Sequence, residues 1–352
     1  MEATPQHTPV DRFVDRIGGE SLFQVVPFLD DPLVIYAAVV VFYEQIINQT
    51  VRFATGYGYF FLDNPLWLLR PILLIGAAAV TQLLHDRYAA AIDEMKLIER
   101  AENPQQFKKL TSSRLTAGIM IAGIGFTIAN ALLIIGLPTL YDAGGIADVI
   151  QFLVIIPFGY APIFALFLST YIAVEILVPR RIAASNIGLY YHDPEQLGGM
   201  RPIGELVKLA YYFLIIGLIL YAIALYGPYL LRDYLSWAVA PGQIANILFT
   251  AVWIVTLTTM VYGLHTLHKF MRRQKREKIQ QLDDRAREFV DEPWDIEQFE
   301  LREEAQEDYE DLRTRMELVS ATKEYPATFT MWAQLTVGVI APKAIQLILS
   351  NL

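Results

Sequence analysis

The sequence predicts an all-α polytopic membrane protein: seven transmembrane helices, N-terminus inside, C-terminus outside, and a cytoplasmic helical hairpin. Three observations predict it. Hydrophobic residues make up 54% of the 352 and charged residues only 18%, where a soluble domain carries about 25% charge. The apolar excess is gathered into nearly charge-free stretches of about 20 residues, the length of helix that crosses a bilayer. Basic residues, finally, fall on alternate connections. With a mean hydropathy of +0.36, the chain is neither a soluble enzyme, nor disordered, nor a nucleic-acid binder with a basic face.

Residues 1–31 form a polar cytoplasmic segment with Pro5, Pro9 and Gly18-Gly19. No apolar leader core opens it, so the first span is expected to act as its own uncleaved insertion signal. Seven stretches then qualify as spans: Pro32–Val51, Pro65–Leu84, Leu115–Leu137, Val149–Val178, Leu206–Leu231, Ile244–Leu267 and Phe329–Leu349. The second continues as a charged helix (His85, Asp86, Arg87, Asp93, Glu94, Lys96) to about Arg100, and Pro104 ends it. With the N-terminus inside, 24 lysines and arginines lie on the cytoplasmic side; only Arg52, Arg70, Arg232 and Lys343 do not. Without the long final loop the ratio is still 12 to 4, which sets the orientation. The outer loops are short. The first, Phe53–Phe61, is aromatic and suits the headgroup level, with an Asn48-Gln49-Thr50 sequon beside it.

Residues 32–267 thus hold six spans and their helical extensions. Residues 268–325 form the hairpin, and 326–352 the last span. The sixth span runs on through a basic stretch into Ile279, Leu282, Ala286, Phe289 and Val290, which share one helical face, until Pro293 stops it. Asp295 with Gln298 reads as a capping box for the return helix. That helix carries its own stripe: Leu301, Ala305, Tyr309, Leu312, Met316 and Val319. The stripes suit packing on each other, and also self-association into a homo-oligomer.

Polar residues inside spans ask for a reason, because a central charge costs about 2.5–3.5 kcal/mol on insertion scales. On the last span Thr336, Lys343, Gln346 and Ser350 lie on one stripe, with a kink at Pro342 just before Lys343. Either the stripe lines a pore, where Lys343 would favour anions, or Lys343 snorkels to the outer interface. On the first span Gln45, Asn48, Gln49 and Arg52 form one face, and Glu44 pairs with Asn48 at i, i+4; Arg70 and Arg232 are the nearest outer cations for Glu44. This cluster is expected to hold a structural ion pair or to line a small-molecule site. Glu175, beside Arg180 and Arg181, reads as interfacial. Between spans four and five, Tyr190–Gly204 contains Asp-Pro, Gly-Gly and Arg-Pro and reads as a tight turn. There His192, Asp193 and Arg201 are candidate gating residues.

There is no phosphate-binding glycine loop, no dinucleotide fingerprint, no His-Glu-x-x-His and no nucleophile elbow. His265 and His268 have no acidic neighbour in sequence. The chain has no cysteine. Hence no enzyme activity, metal or cofactor is expected. Nineteen arginines against nine lysines and a net charge of -9 suit a salt-adapted prokaryote.

This span plan resembles that of the insect odorant and gustatory receptor superfamily over the whole chain: seven spans, short outer loops, a sixth helix prolonged into the cytoplasm and a cytoplasmic helix leading into the last span. The likeness is architectural; Thr330–Thr336 differs from the family's short aromatic, Gln-containing motif. It implies four subunits joined through the cytoplasmic helices, a pore lined by the last span, and ligands bound in the outer bundle. The expected function is therefore a homo-oligomeric, tetrameric ion channel of the cell membrane, with lipid, ions and a small-molecule ligand as partners and no nucleic acid. Alternatives are a monomeric or dimeric transporter or membrane enzyme, and a non-conducting sensor or scaffold.

Overall fold

The computed structural model describes residues 31–58, 65–230, 243–290, 294, 306–326, 340, 343–344 and 347–348. Among these it is all-helical, with no β-strand. Six helices are long and apolar enough to cross a membrane: α1 (Pro32–Ala54), α2 (Pro65–Glu94), α3 (Ser113–Ile135), α4 (Leu137–Ala184), α5 (Arg201–Leu230) and α6 (Gln243–Arg287). A seventh helix, α7 (Gln306–Ala321), is amphipathic and short. The expected seventh span falls almost wholly outside the described residues, as does the cap at Asp295.

Local chemistry accounts for the ends. α1 begins where Asp31 Oδ1 accepts a hydrogen bond from the Leu33 amide at 2.7 Å and Pro32 takes the first helical position. α2 ends at Lys96, whose left-handed φ of 50° stops the helix before a further turn, Leu97–Arg100. α4 starts a dozen residues earlier than its apolar run suggests. The outer loop expected there is helical, opened by Pro138 and bent at Gly144 and Gly145. Further along, the backbone widens into a π-helix over Gln151–Tyr160, around Pro157. Proline has no amide to donate and crowds the preceding turn, and the wider turn accommodates both. α6 runs unbroken for 45 residues, roughly 68 Å at the α-helical rise. A hydrocarbon core of ~30 Å covers less than half of that, so the helix projects well beyond its apolar part.

The helices alternate in direction, which gives the bundle two ends. The C-terminal ends of α2, α4 and α6 share the charged end, with the projecting part of α6 and with α7; the far end holds the termini near Ala54, Pro65 and Leu137. α2 is central, packed on α1, α4 and α5. Its Leu74, Ala78 and Leu84 meet Ile163 and Leu166 of α4 and Ala210 and Leu214 of α5 in one core. α3 is peripheral: Ile121, Phe126, Leu133 and Ile134 face outward, Leu133 with 83% of its surface free. At the charged end Leu282 and Ala286 of α6 pack on Leu312 and Val319 of α7, flanked by Ile279, Phe289, Tyr309 and Met316. The two stripes therefore meet within one chain.

Because that small core holds α7 in place, Leu312→Ala should weaken it by about 2 kcal/mol. Hydrogen exchange should then speed up over residues 306–321 and stay unchanged in α1–α5. Unchanged protection of α7 would mean that another contact holds it.

Candidate functional site

The polar side chains of α4 that are buried mark the site: Asp148, Gln151, Tyr160, Ser169, Thr170, Tyr171 and Glu175. They extend from the far end to the charged end, about 40 Å along the helix at its standard rise. In a bilayer such groups face the protein interior because lipid offers them no hydrogen bonds.

The far layer joins α1 to α4. Glu44 is fully buried; it accepts a hydrogen bond from Gln151 Nε2 at 2.6 Å and another from the Tyr160 hydroxyl. Gln151 Oε1 in turn accepts from Asn48 Nδ2 at 3.1 Å. One glutamine thus bridges the two residues that sequence spacing pairs directly. A π-helical stretch, Tyr43–Asn48, lets Glu44, Asn48, Gln49 and Arg52 all turn inward. The face predicted to run through Gln45 runs through Glu44 instead. One turn on, Arg52 forms a buried ion pair with Asp148 and donates to the Ala143 carbonyl at 3.0 Å. Gly144 makes room for it, since a Cβ there would sit 2.1 Å from the Asp148 carboxyl and 2.2 Å from Arg52 Nη1. At Gly145 a Cβ would meet the Tyr57 ring at 2.9 Å. Arg70 does not pair with Glu44. Its guanidinium lies over the Trp67 ring, 3.5 Å from the centroid, within electrostatic range of Glu44 and Tyr160.

A middle layer carries hydroxyls. Thr116 Oγ1 donates to Ser169 Oγ at 2.9 Å, and His85 Nε2 lies 3.2 Å from Thr170 Oγ1. The layer nearest the charged end holds Glu175, predicted to be interfacial and in fact fully buried. It sits in another π-helical stretch, Ala173–Leu177. Among the described residues neither carboxyl oxygen has a hydrogen-bond partner, and the nearby Tyr211 hydroxyl has none either. Tyr171, electrostatically coupled to Glu175, has its hydroxyl 3.0 Å from Thr259 Oγ1. α6 comes close through Gly263, where a Cβ would fall 2.4 Å from the Glu175 carbonyl oxygen and 3.4 Å from its Oε2.

The other predicted residues lie elsewhere. Lys343 donates to Thr250 Oγ1 of α6 at 3.0 Å; Thr336, Gln346 and Ser350 are outside the described residues. Asp193 organises its turn: its carboxylate accepts from the Glu195, Leu197 and Gly199 amides at 2.9–3.0 Å. Arg201 pairs with Glu195 and, at 2.8 Å, with Glu205. His192 is exposed near Tyr190. The turn docks on the segment after α7, where the Lys323 amide donates to the Gln196 carbonyl at 2.7 Å. Among the described residues no cluster of three or more acidic or histidine side chains forms a metal site. No family model, curated protein or solved structure matches the chain.

Two predictions follow from this geometry. Asp148→Asn leaves Arg52 buried without its counter-charge and should cost about 3 kcal/mol, read as a lower thermal midpoint in detergent. Replacing both (Arg52→Met with Asp148→Leu) should recover most of the loss, and a pair at the surface would show neither effect. In the turn, burial with help from Glu277 pushes the Tyr191 hydroxyl up to about 12; it donates to the Gln274 carbonyl at 3.1 Å. The fold therefore favours neutral Tyr191. Its contribution is complete below the ordinary tyrosine value near 10 and is lost as pH rises through about 12. Tyr191→Phe should abolish that alkaline step in the hydrogen exchange of residues 190–200.

Proposed function

We propose that the chain is an ion-translocating membrane protein whose path follows the buried polar face of α4 inside a single bundle. The observation that carries this reading is Glu175: a fully buried carboxyl without a hydrogen-bond partner among the described residues, at one end of a line of polar side chains that reaches Asp148. Desolvating a charged or polar group without pairing it is costly, and intramembrane acids of this kind mark ion and proton pathways. The transported species is a cation. Arg52 balances Asp148, whereas no lysine or arginine pairs with Glu175 among the described residues. The π-helical stretches at Glu44, at Gln151–Tyr160 and at Glu175 support the same reading, since such irregularities recur at functional sites.

Reconstituted in liposomes, the protein should carry a proton or monovalent-cation flux that Glu175→Gln reduces at least tenfold. The thermal midpoint of that variant should hold or rise, because the substitution removes an unpaired buried acid. Wild-type flux in Glu175→Gln would overturn the assignment.

A second reading is the shared pore of a homo-tetramer in the cell membrane, with seven spans, the N-terminus inside, and the last span at the axis. It is favoured by Lys343, a cation on that span placed against Thr250, and by the outward apolar face of α3, free to meet another subunit. A ligand in the outer bundle would then act through Glu44, Asn48 and Arg70, as the likeness to the insect receptors implies. Native mass spectrometry distinguishes the readings: a closed ring supports the shared pore, a monomer the path along α4.

A further inference from the structure

The charged end carries a groove of about 700 Å³ between the end of α4 and one face of α6. Tyr262, Lys269, Arg272, Arg273 and Arg276 line it at spacings that keep them on one side of the helix. Among the described residues the sole acid in its lining is Glu277, so four cations face one carboxylate. Two of the four are committed elsewhere. Arg273 donates to the Ala183 carbonyl at 3.2 Å, and Arg272 lies 3.8 Å from Glu324. Lys269 and Arg276 form no ion pair among the described residues. At the membrane side Arg180 donates to the Tyr262 hydroxyl at 2.6 Å, with its guanidinium 4.9 Å from the ring centroid.

The groove's position narrows its ligand. The apolar part of α6 ends at Leu267, and Lys269 is the first charge beyond it, so the cations begin where hydrocarbon gives way to headgroups. Above them, toward the bilayer centre and on the same face, Ile254, Val255 and Val261 are more than half exposed. Phosphate-seeking charges below an open apolar strip form one continuous surface that matches an amphiphile. Juxtamembrane clusters of basic residues attract anionic lipids in this way.

We propose that this groove binds the phosphate headgroup of an anionic membrane lipid, its acyl chains lying along α6 beside Val261. Arg273 and Arg180 hold the walls, while Lys269 and Arg276 supply the free charge. The site does not depend on the transport reading, since lipid binding is measured with no flux at all.

The test uses the full-length protein in detergent, with phosphatidylglycerol and phosphatidylcholine of identical acyl chains as probes in native mass spectrometry. Phosphatidylglycerol should be retained selectively. The double variant Lys269→Gln with Arg276→Gln should bind it roughly tenfold more weakly at an unchanged thermal midpoint. Should the double variant fail to fold, Arg276→Gln alone carries the test, with a several-fold loss expected. Equal retention of the two lipids would overturn the proposal, as would full retention of phosphatidylglycerol by the variant. Displacement of the lipid by inorganic pyrophosphate but not by excess phosphatidylcholine would also overturn it, assigning the groove to a soluble anion.

Discussion

A bilayer offers no water to a buried polar group, and the shape of α4 follows from that constraint. Its polar side chains must find partners inside the bundle or go without. At the far end they find them: Gln151 bridges Glu44 and Asn48, and Asp148 holds Arg52. Meeting those partners requires irregular backbone. Gly144 and Gly145 bend the helix where the ion pair needs space, and the π-helix around Pro157 rotates Gln151 and Tyr160 toward α1. The irregularities are the conditions on which the network can close, and each stands next to a residue that uses it.

The charged end is joined by a different set of contacts. Tyr191 packs against both the bundle core and the small core between α6 and α7. Gly204, at the start of α5, lets the Pro326 carbonyl approach so closely that a Cβ would lie 1.8 Å from its oxygen. The Asp193 turn and the exit from α7 up to Pro326 are therefore one packed unit. A shift of α7 would be felt at the base of α5, a few turns from Tyr211. Leu282 and Ala286 of α6 are spent on Leu312 and Val319 of α7.

What was legible in the sequence was whatever depends on length or local spacing. Apolar runs located six helices to within a few residues at most ends, and the stripe Ile279–Phe289 carried α6 past the membrane. The Asp31-Pro32 start was written in two adjacent residues. The start of α4 was hidden because Leu137–Asp148 mixes Pro, Gly and Asp, which reads as loop until Arg52 is known to fill the bend. Glu44's partners were hidden because they lie more than a hundred residues away, on a face whose register a π-turn shifts. Arginines in sequence drew the pairing of Glu44 toward Arg70, whereas Trp67 holds that cation. Glu175 looked interfacial beside Arg180 and Arg181, yet on a helix that continues to Ala184 those arginines donate to the Tyr262 hydroxyl and the Lys109 carbonyl.

The two ends of the seam differ in how far their charge is balanced, and that difference gives the bundle a direction. At the far end the two buried acids, Glu44 and Asp148, each have a donor or a cation, so the groups there hold the backbone in one arrangement. At Glu175 the carboxyl, the Tyr211 hydroxyl and the close approach of Gly263 leave a polar point between α4, α5 and α6 without partners among the described residues. A cation or a proton arriving there would bring Glu175 the counter-charge that no described residue provides. Its binding would act on three helices at once, among them the long α6 that reaches α7 and the basic groove. An unpaired acid in a surface loop would touch one element; at this junction Glu175 stands where α4 packs on both α5 and α6.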